Sequence, residues 1–309
     1  MLNDSKNRAA PLVIVGSVAF DDLELPTGAF RDVVGGSAVY AAHAASLFTV
    51  PRVVGVVGDD FPESAVSELV QRGVDTEGLE RRPGTKTFRW AGRYTENLGS
   101  RTTLDTQLNV FAEFRPTLPE SYRRTPFVML GNIQPALQLE VLAQAASPRL
   151  VAADTMNFWI SGERQSLLEV LKRLDLLVIN DEELLQLAED HNVKRAARAV
   201  LALGPRRLIV KRGEHGALLF DADSTFYAPA YPLESEIDPT GAGDTFAGAL
   251  MGYLASQRDL DQNTLRRAVM IAATVASFCI EDVGPRRVCG LTLADVAARL
   301  EELQALVRV

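Results

Sequence analysis

Six short apolar runs, at residues 12–15, 53–57, 127–130, 150–153, 176–179 and 208–211, constrain this chain more than any other feature, because each leads into a helical pattern. A run without polar residues at alternate positions needs cover on both faces, which is the environment of a central strand in a parallel sheet. Stretches 62–72, 136–145, 164–173, 181–189, 193–203, 242–257, 265–279 and 293–306 carry apolar residues at helical spacing. Strand and helix therefore alternate, and the expected fold class is α/β, a doubly wound, mainly parallel sheet flanked by helices. Open sheets of this kind bind ligands in the crevice at the carboxyl ends of their strands.

One segment departs from the alternation. From 87 to 94 and from 102 to 111 the period switches to two, with Asn97, Gly99 and Ser100 as turn residues between the arms, which predicts a β-hairpin. Phe88, Trp90 and Tyr94 share one face of the first arm and Arg89 and Arg93 the other; in the second arm Thr103, Asp105, Gln107 and Asn109 form a polar row opposite Leu104, Leu108 and Val110. A hairpin that interrupts a doubly wound sheet is expected to serve as a lid. The chain then reads as one domain, 1–309, with a lid formed by about 19–34 and 85–113. A two-stranded hairpin is marginal alone, so packing against a partner lid in a homodimer is expected. Aromatic residues facing the ligand would suit a nucleoside base or an apolar sugar face, whereas Arg89 and Arg93 facing it would suit a phosphorylated sugar.

Charge and composition narrow the partners. Thirty-two Lys and Arg against 40 Asp and Glu give a net charge of -8, the wrong sign for a nucleic-acid backbone. Even the apolar stretch 268–280 is broken by Thr274 and Ser277 and falls short of the roughly 20 residues of a membrane span. Residues 1–10 are a polar tail without the apolar core of a secretory signal. Cys279 and Cys289 are too far apart for a C-x-x-C pair and are expected to be buried fillers in a reducing compartment. His43, His191 and His215 show no metal-ligand spacing. The expectation is a cytoplasmic protein with a small-molecule partner and no nucleic-acid or membrane partner. The chain contains no G-x-x-x-x-G-K-[ST], no H-R-D with D-F-G, and no G-x-G-x-x-G after the first run, which removes P-loop, protein-kinase and dinucleotide-binding readings.

Chemistry concentrates in Asp238-Pro239-Thr240-Gly241-Ala242-Gly243-Asp244-Thr245-Phe246-Ala247-Gly248. Pro239 and the glycines exclude a regular strand, and Ala247, Leu250, Met251 and Leu254 follow at helical spacing, so a loop of small residues opens a buried helix. N–H groups of Gly241, Ala242 and Gly243 at that helix N-terminus would form a nest for an anion. Asp244 stands beside whatever the nest holds and, close to the helix dipole, is expected to stay ionised at neutral pH. A carboxylate next to an anion hole suits deprotonation of an alcohol as it attacks a phosphoryl group.

This segment resembles the second signature, D-T-x-G-A-G-D, of the ribokinase-like (PfkB) family of carbohydrate and nucleoside kinases, with Pro239 in place of the commonest Thr. The resemblance covers nearly the whole chain. It implies a kinase fold with a β-sheet lid, phosphoryl transfer from ATP with Mg2+, Asp244 as general base, and Gly241, Ala242 and Gly243 as anion hole. It assigns Asp21 to substrate hydroxyls, with Ala19 where the family often has Asn. Gly35, Gly36 and Ser37, leading into the Ala-rich stretch 38–46, match the first signature beside the substrate, close helix packing being the alternative for the alanines. Asn180 and Glu183 fit an N-x-x-E motif that orders Mg2+ through water, and independently suit a capped helix start. Lys211, Gly213 and Gly216 fall where relatives place ATP phosphates and ribose. Asn132 resembles a substrate contact, Asp154 more weakly, and Asp105 and Asn109 of the lid are expected to meet substrate. Asp238 and Thr240, with the loop around Gly284, match a monovalent-cation site, K+ in several relatives. The expected substrate is a small polyhydroxy compound, a sugar before a nucleoside or inositol, with a catalytically silent ligand-binding homologue as the remaining alternative.

Overall fold

Every apolar run becomes a strand. In chain order the strands are β1 (Leu12–Val15), β2 (Ala19–Leu25), β3 (Gly28–Gly35), β4 (Pro51–Val57), β5 (Asp75–Arg81), β6 (Phe88–Tyr94), β7 (Arg101–Gln107), β8 (Phe127–Leu130), β9 (Leu150–Asp154), β10 (Leu176–Asn180), β11 (Arg207–Lys211), β12 (Ala217–Phe220) and β13 (Thr225–Ala228). The helices are α1 (Ser37–Ala45), α2 (Glu63–Gln71), α3 (Pro135–Gln144), α4 (Asn157–Gly162), α5 (Arg164–Leu171), α6 (Asp181–Ala188), α7 (Val193–Leu201), α8 (Ala242–Ser256), α9 (Gln262–Cys279), α10 (Arg286–Cys289) and α11 (Leu293–Ala305). This computed structural model describes residues 9–308, so all but the last two residues of the polar tail 1–10 lie outside it.

Nine strands form one sheet in the order β13-β12-β11-β10-β9-β8-β1-β4-β5, all running in one direction except β12, which pairs antiparallel with both β11 and β13. Alternate residues of the central strands feed two cores. Leu12, Ile14 and Val53 pack with α1, α8 and α9 on one face, and Val13, Val15 and Val54 with α3, α5, α6 and α7 on the other. The chain starts in β1, runs outward through β4 and β5, and returns on the other side of β1 at β8, so the sheet reverses direction between β1 and β8. A crevice opens at the carboxyl end of such a reversal. Helix α1 is buried along its whole length because it lies against α8 as well as the sheet. The contact is backbone-close: a Cβ on Gly248 would lie 2.2 Å from the Ala41 carbonyl oxygen. The alanines of 38–46 therefore serve helix packing.

The remaining four strands form a second sheet, β3-β2-β6-β7. The expected hairpin is β6 and β7, but β6 also pairs in parallel with β2 of the same chain. Its neighbour is thus supplied internally, which removes the stability argument for a partner lid. The second arm ends earlier than expected, because Asn109 takes a positive φ of 47° and starts a helical turn over Asn109–Glu113. Register places Asp21, Leu23, Trp90, Gly92, Tyr94, Thr103 and Arg101 on one face, and Asp22, Glu24, Arg89, Arg93 and Asp105 on the other. The first face carries a small apolar cluster of Leu23, Leu25, Val33, Tyr94 and Val283. Across the second face Arg89 lies 2.7 Å from Asp32 and 3.2 Å from Asp22, and Arg93 lies 2.6 Å from Glu24. No helix among the described residues is long and apolar enough to cross a membrane.

Candidate active site

Three neighbouring parallel strands deliver polar side chains from their carboxyl ends: Asp154 from β9, Asn180 from β10 and Lys211 from β11. Lys211 Nζ lies 3.0 Å from Asp154 Oδ2, with the Lys211 side chain 18% and the Asp154 side chain 8% exposed. Asn180 caps α6, accepting the Glu183 N–H at 2.8 Å while Glu183 Oε2 accepts the Asn180 N–H at 2.9 Å. This reciprocal cap holds the Glu183 carboxylate rigidly at the strand edge.

The loop 238–244 meets this group from α8. Gly241 has φ 75°, and a Cβ there would lie 2.3 Å from the Tyr40 ring, so only glycine fits. The Ala242 N–H donates to the Pro239 carbonyl at 3.2 Å, so one of the three expected anion-hole donors closes the loop's own turn. Beside Gly243 lies the Lys211 ammonium, 2.9 Å from where a Cβ would stand. Asp244 follows in the first turn of α8. Burial, reinforced by Asp154, pushes its carboxyl up to about 7, while Lys211 and Arg101 pull it back. The helix-dipole argument for a fully ionised Asp244 is overruled: desolvation of a buried carboxylate outweighs a half-charge at a helix end. Burial also raises Glu183, with Asp154 adding to it. Burial alone would lower the Lys211 ammonium, yet Asp154, Glu183 and Asp244 hold it above its ordinary value.

Asp21 enters from β2, only 5% exposed, and accepts the Gly36 N–H. Burial, then Asp238, Asp244 and Asp22, push its carboxyl up to about 8. A Cβ on Gly35 would lie 2.1 Å from Asp21 Oδ2, so Gly35 makes room for the carboxylate. Asp238 braces two loops, accepting the Thr240 N–H and the Gly284 N–H at 2.9 Å each. The second sheet, the expected lid, reaches the same loop through β6, where Tyr94 OH and Thr240 Oγ1 are 2.9 Å apart.

Asp21, Asp154, Glu183, Lys211 and the 238–244 loop thus form one connected site. The remaining expected residues have these partners. Asp105 lies on the lid face opposite Asp21, its carboxylate accepting the Thr106 N–H at 2.8 Å and the Gln107 amide at 2.7 Å. The Asn109 amide donates to the Thr87 carbonyl at 2.9 Å and fastens the lid's exit to its entry. The Ser37 hydroxyl accepts the Ser17 N–H at 3.0 Å. Asn132 accepts from the Trp159 indole at 2.8 Å and donates to Met156 Sδ at 3.1 Å, so its amide organises the 156–159 segment. Gly213 and Gly216 turn the β11–β12 connection, with the Arg212 N–H on the Gly216 carbonyl at 2.8 Å.

Three residues escaped sequence reasoning. Tyr40, against Gly241, was hidden in an alanine run, although a lone Tyr there was a usable signal. Tyr94 shows in the sequence only as part of an aromatic face, with no signal of its contact with Thr240. Arg101, just past the turn, was passed over in favour of Arg89 and Arg93, yet it is the lid arginine that acts on Asp244 and Glu183.

Residues 11–290 match the pfkB family carbohydrate kinase profile. The chain is similar to the cytidine kinase of Thermococcus kodakarensis, 29% identical over 257 residues that cover 81% of this chain and 91% of that one. It is similar to the deoxyribokinase of Salmonella typhi, 26% identical over 264 residues, 82% of this chain and 84% of that one. The fold superposes on the crystal structure of Cryptococcus neoformans ribokinase in complex with ADP with a TM-score of 0.78 at 22% identity, covering 94% of this chain and 100% of that one. With that profile spanning most of its length and its fold shared with a ribokinase, the chain belongs to the pfkB family of carbohydrate kinases.

Proposed function

We propose that the protein transfers the γ-phosphoryl group of ATP to a hydroxyl of a ribonucleoside. Asp21 holds a neighbouring sugar hydroxyl. Asp244 takes the proton of the attacking hydroxyl as its oxygen bonds to the γ-phosphorus, and the bond to the bridging oxygen breaks to leave ADP. The Gly241 and Gly243 N–H groups and the Lys211 ammonium meet the negative charge that develops on the transferred group. Lid closure through Tyr94 and Thr240 excludes water.

The carboxylates Asp154, Glu183 and Asp244 outnumber the one buried cation, Lys211, and the upward shifts of Glu183 and Asp244 express that excess. This donor set fits a hard divalent cation. Glu183, through water, and Asp154 would hold Mg2+, which when bound neutralises phosphate charge. Asp238 and Thr240 shape the loop expected to take a monovalent cation, and no step above requires one.

One observation carries the preference for a nucleoside over a free sugar: the lid face shared with Asp21 bears Trp90 with its indole N–H on Thr103 at 3.3 Å and the Arg101 guanidinium 5.7 Å from its ring centroid. That is an aromatic platform for a base, while Arg89 and Arg93 are engaged on the outer face. The similarity to a cytidine kinase supports the same reading. The test is ADP release across nucleosides, ribose, deoxyribose, fructose and inositol. A nucleoside should give the highest kcat/KM, and Trp90→Ala should lower it by the roughly 1–3 kcal/mol of a base-on-aromatic stack, about 5- to 150-fold, while hardly changing turnover of ribose. A free sugar preferred over every nucleoside overturns the substrate assignment.

A further inference from the structure

The cluster that the catalytic reading leaves unused lies at the other end of α1 from Gly36. His43 from the last turn of α1, Glu68 of α2 and Cys289 at the end of α10 each bring a potential ligand atom within 4.8 Å of the others. His43 is only 2% exposed, and its Nδ1 is buried without a hydrogen-bond partner. Such an orphaned ring nitrogen is costly in a folded protein. The Cys289 thiol donates to the Glu68 carboxylate. Glu68 is exposed and Cys289 half-buried, so the cluster has a path to solvent.

We propose that His43, Glu68 and Cys289 bind Zn2+, with a water molecule as fourth ligand. Imidazole, carboxylate and thiolate together select zinc over Mg2+ or Ca2+, which favour all-oxygen shells. A tetrahedral zinc with bonds of about 2.0–2.3 Å keeps its ligand atoms roughly 3.3–3.7 Å apart, so these side chains need to close by only about an ångström. Binding replaces the thiol proton, which leaves to solvent, and involves no redox change. Thiolate and carboxylate neutralise the dication, so loading takes the cluster from one negative charge to none beside Arg72, whose guanidinium donates to the Leu291 carbonyl at 3.1 Å through both terminal nitrogens. The ion ties together three helices. Of these, α1 begins at the Asp21 cradle, and α10 follows the Gly284 loop that Asp238 braces.

The experiment uses the full-length protein, stripped with a chelator and held in saturating Mg2+ so that oxygen-only sites are filled. Zn2+ is titrated against a chromophoric chelator, and Co2+ serves as the optical probe. The site predicts one tight Zn2+ per chain, a thiolate-to-cobalt charge-transfer band, and loss of both in Cys289→Ser. Glu68→Gln should weaken Zn2+ by at least the roughly 10- to 100-fold that loss of a mere outer partner costs. Zn2+ should raise the melting temperature of the wild type and leave that of Cys289→Ser unchanged. Both variants should keep kinase activity, since neither residue touches the catalytic loop. A Co2+ complex without the thiolate band, or equal Zn2+ affinity in wild type and Cys289→Ser, overturns the proposal.

Discussion

As the proposed base, Asp244 acts only when ionised, and its carboxyl, ordinarily near 3.8, is pushed up to about 7 by burial and Asp154. At pH 6 only about one tenth of the free enzyme then carries the base, so kcat/KM should fall close to tenfold per unit below that point and level off above about pH 8. Lys211 opposes the rise, because it lies against Gly243 and counts among the charges that pull Asp244 down. Replacing it in Lys211→Met removes an opposite charge of the kind that lowers a neighbouring carboxyl by roughly one to three pKa units. The acid limb should therefore move up by roughly one to three units, in addition to a fall in the plateau from lost phosphate contact. Lys211→Arg should keep the limb near its original position. The assay is ADP release measured from pH 5.5 to 9.5, with each variant compared to wild type so that titration of the nucleotide cancels. A limb that stays in place in Lys211→Met, or turnover by Asp244→Asn near the wild-type rate, would refute the assignment of the base and its electrostatic partner.

Three further outcomes follow from the same structure. Tyr94→Phe removes the 2.9 Å contact with Thr240 and should raise KM for the alcohol about 2- to 10-fold, the worth of one hydrogen bond, with melting unchanged; unchanged KM would separate the lid from substrate capture. Gly248→Ala forces a methyl to within 2.2 Å of the Ala41 carbonyl and should destabilise by about 1–3 kcal/mol in denaturant unfolding; wild-type stability would mean that α1 and α8 part easily. Asp21 and Asp244 have raised pKa values in the folded state, about 8 and about 7, so the native state binds more protons than the unfolded chain. Their stabilisation is complete below the unfolded value near 4 and is lost as pH rises through 7 and 8. The ligand-free protein should thus melt higher at pH 6 than at pH 9, and Asp21→Asn should flatten that difference; a higher melting point at pH 9 would contradict the burial of these carboxylates.

The sheet was legible in the sequence because its central strands carry their own signature. Runs such as Val13 and Ile14 or Leu177 and Val178 are apolar at successive positions, and both faces of these strands are in fact covered by helices. The edge strand β5 was not legible, since Asp75, Glu77, Glu80 and Arg81 sit among few apolar residues and its place is set by pairing with β4. The lid was legible only in part. Period two revealed β6 and β7, but nothing local says that β6 pairs in parallel with β2 some 67 residues earlier, as the Asp22 to Arg89 ion pair shows. That one pairing decides which hairpin face looks at Asp21.

The site divides along the same line. Residues whose role follows from local backbone geometry, such as Gly241 at φ 75° and Asn180 as a cap, could be named from the sequence because each motif builds its own shape. Charge state could not, because it depends on which groups the fold gathers. Asp244, Asp154 and Lys211 come from three separate elements, and the Asp244 carboxyl is set by burial, by Asp154 and Lys211, and by Arg101 from β7. A base half-ionised near neutrality is therefore a property of the assembled crevice. Arg101 is carried by β7 of the second sheet, so if that sheet closes as the proposed lid, its movement changes the field at the proposed base, Asp244.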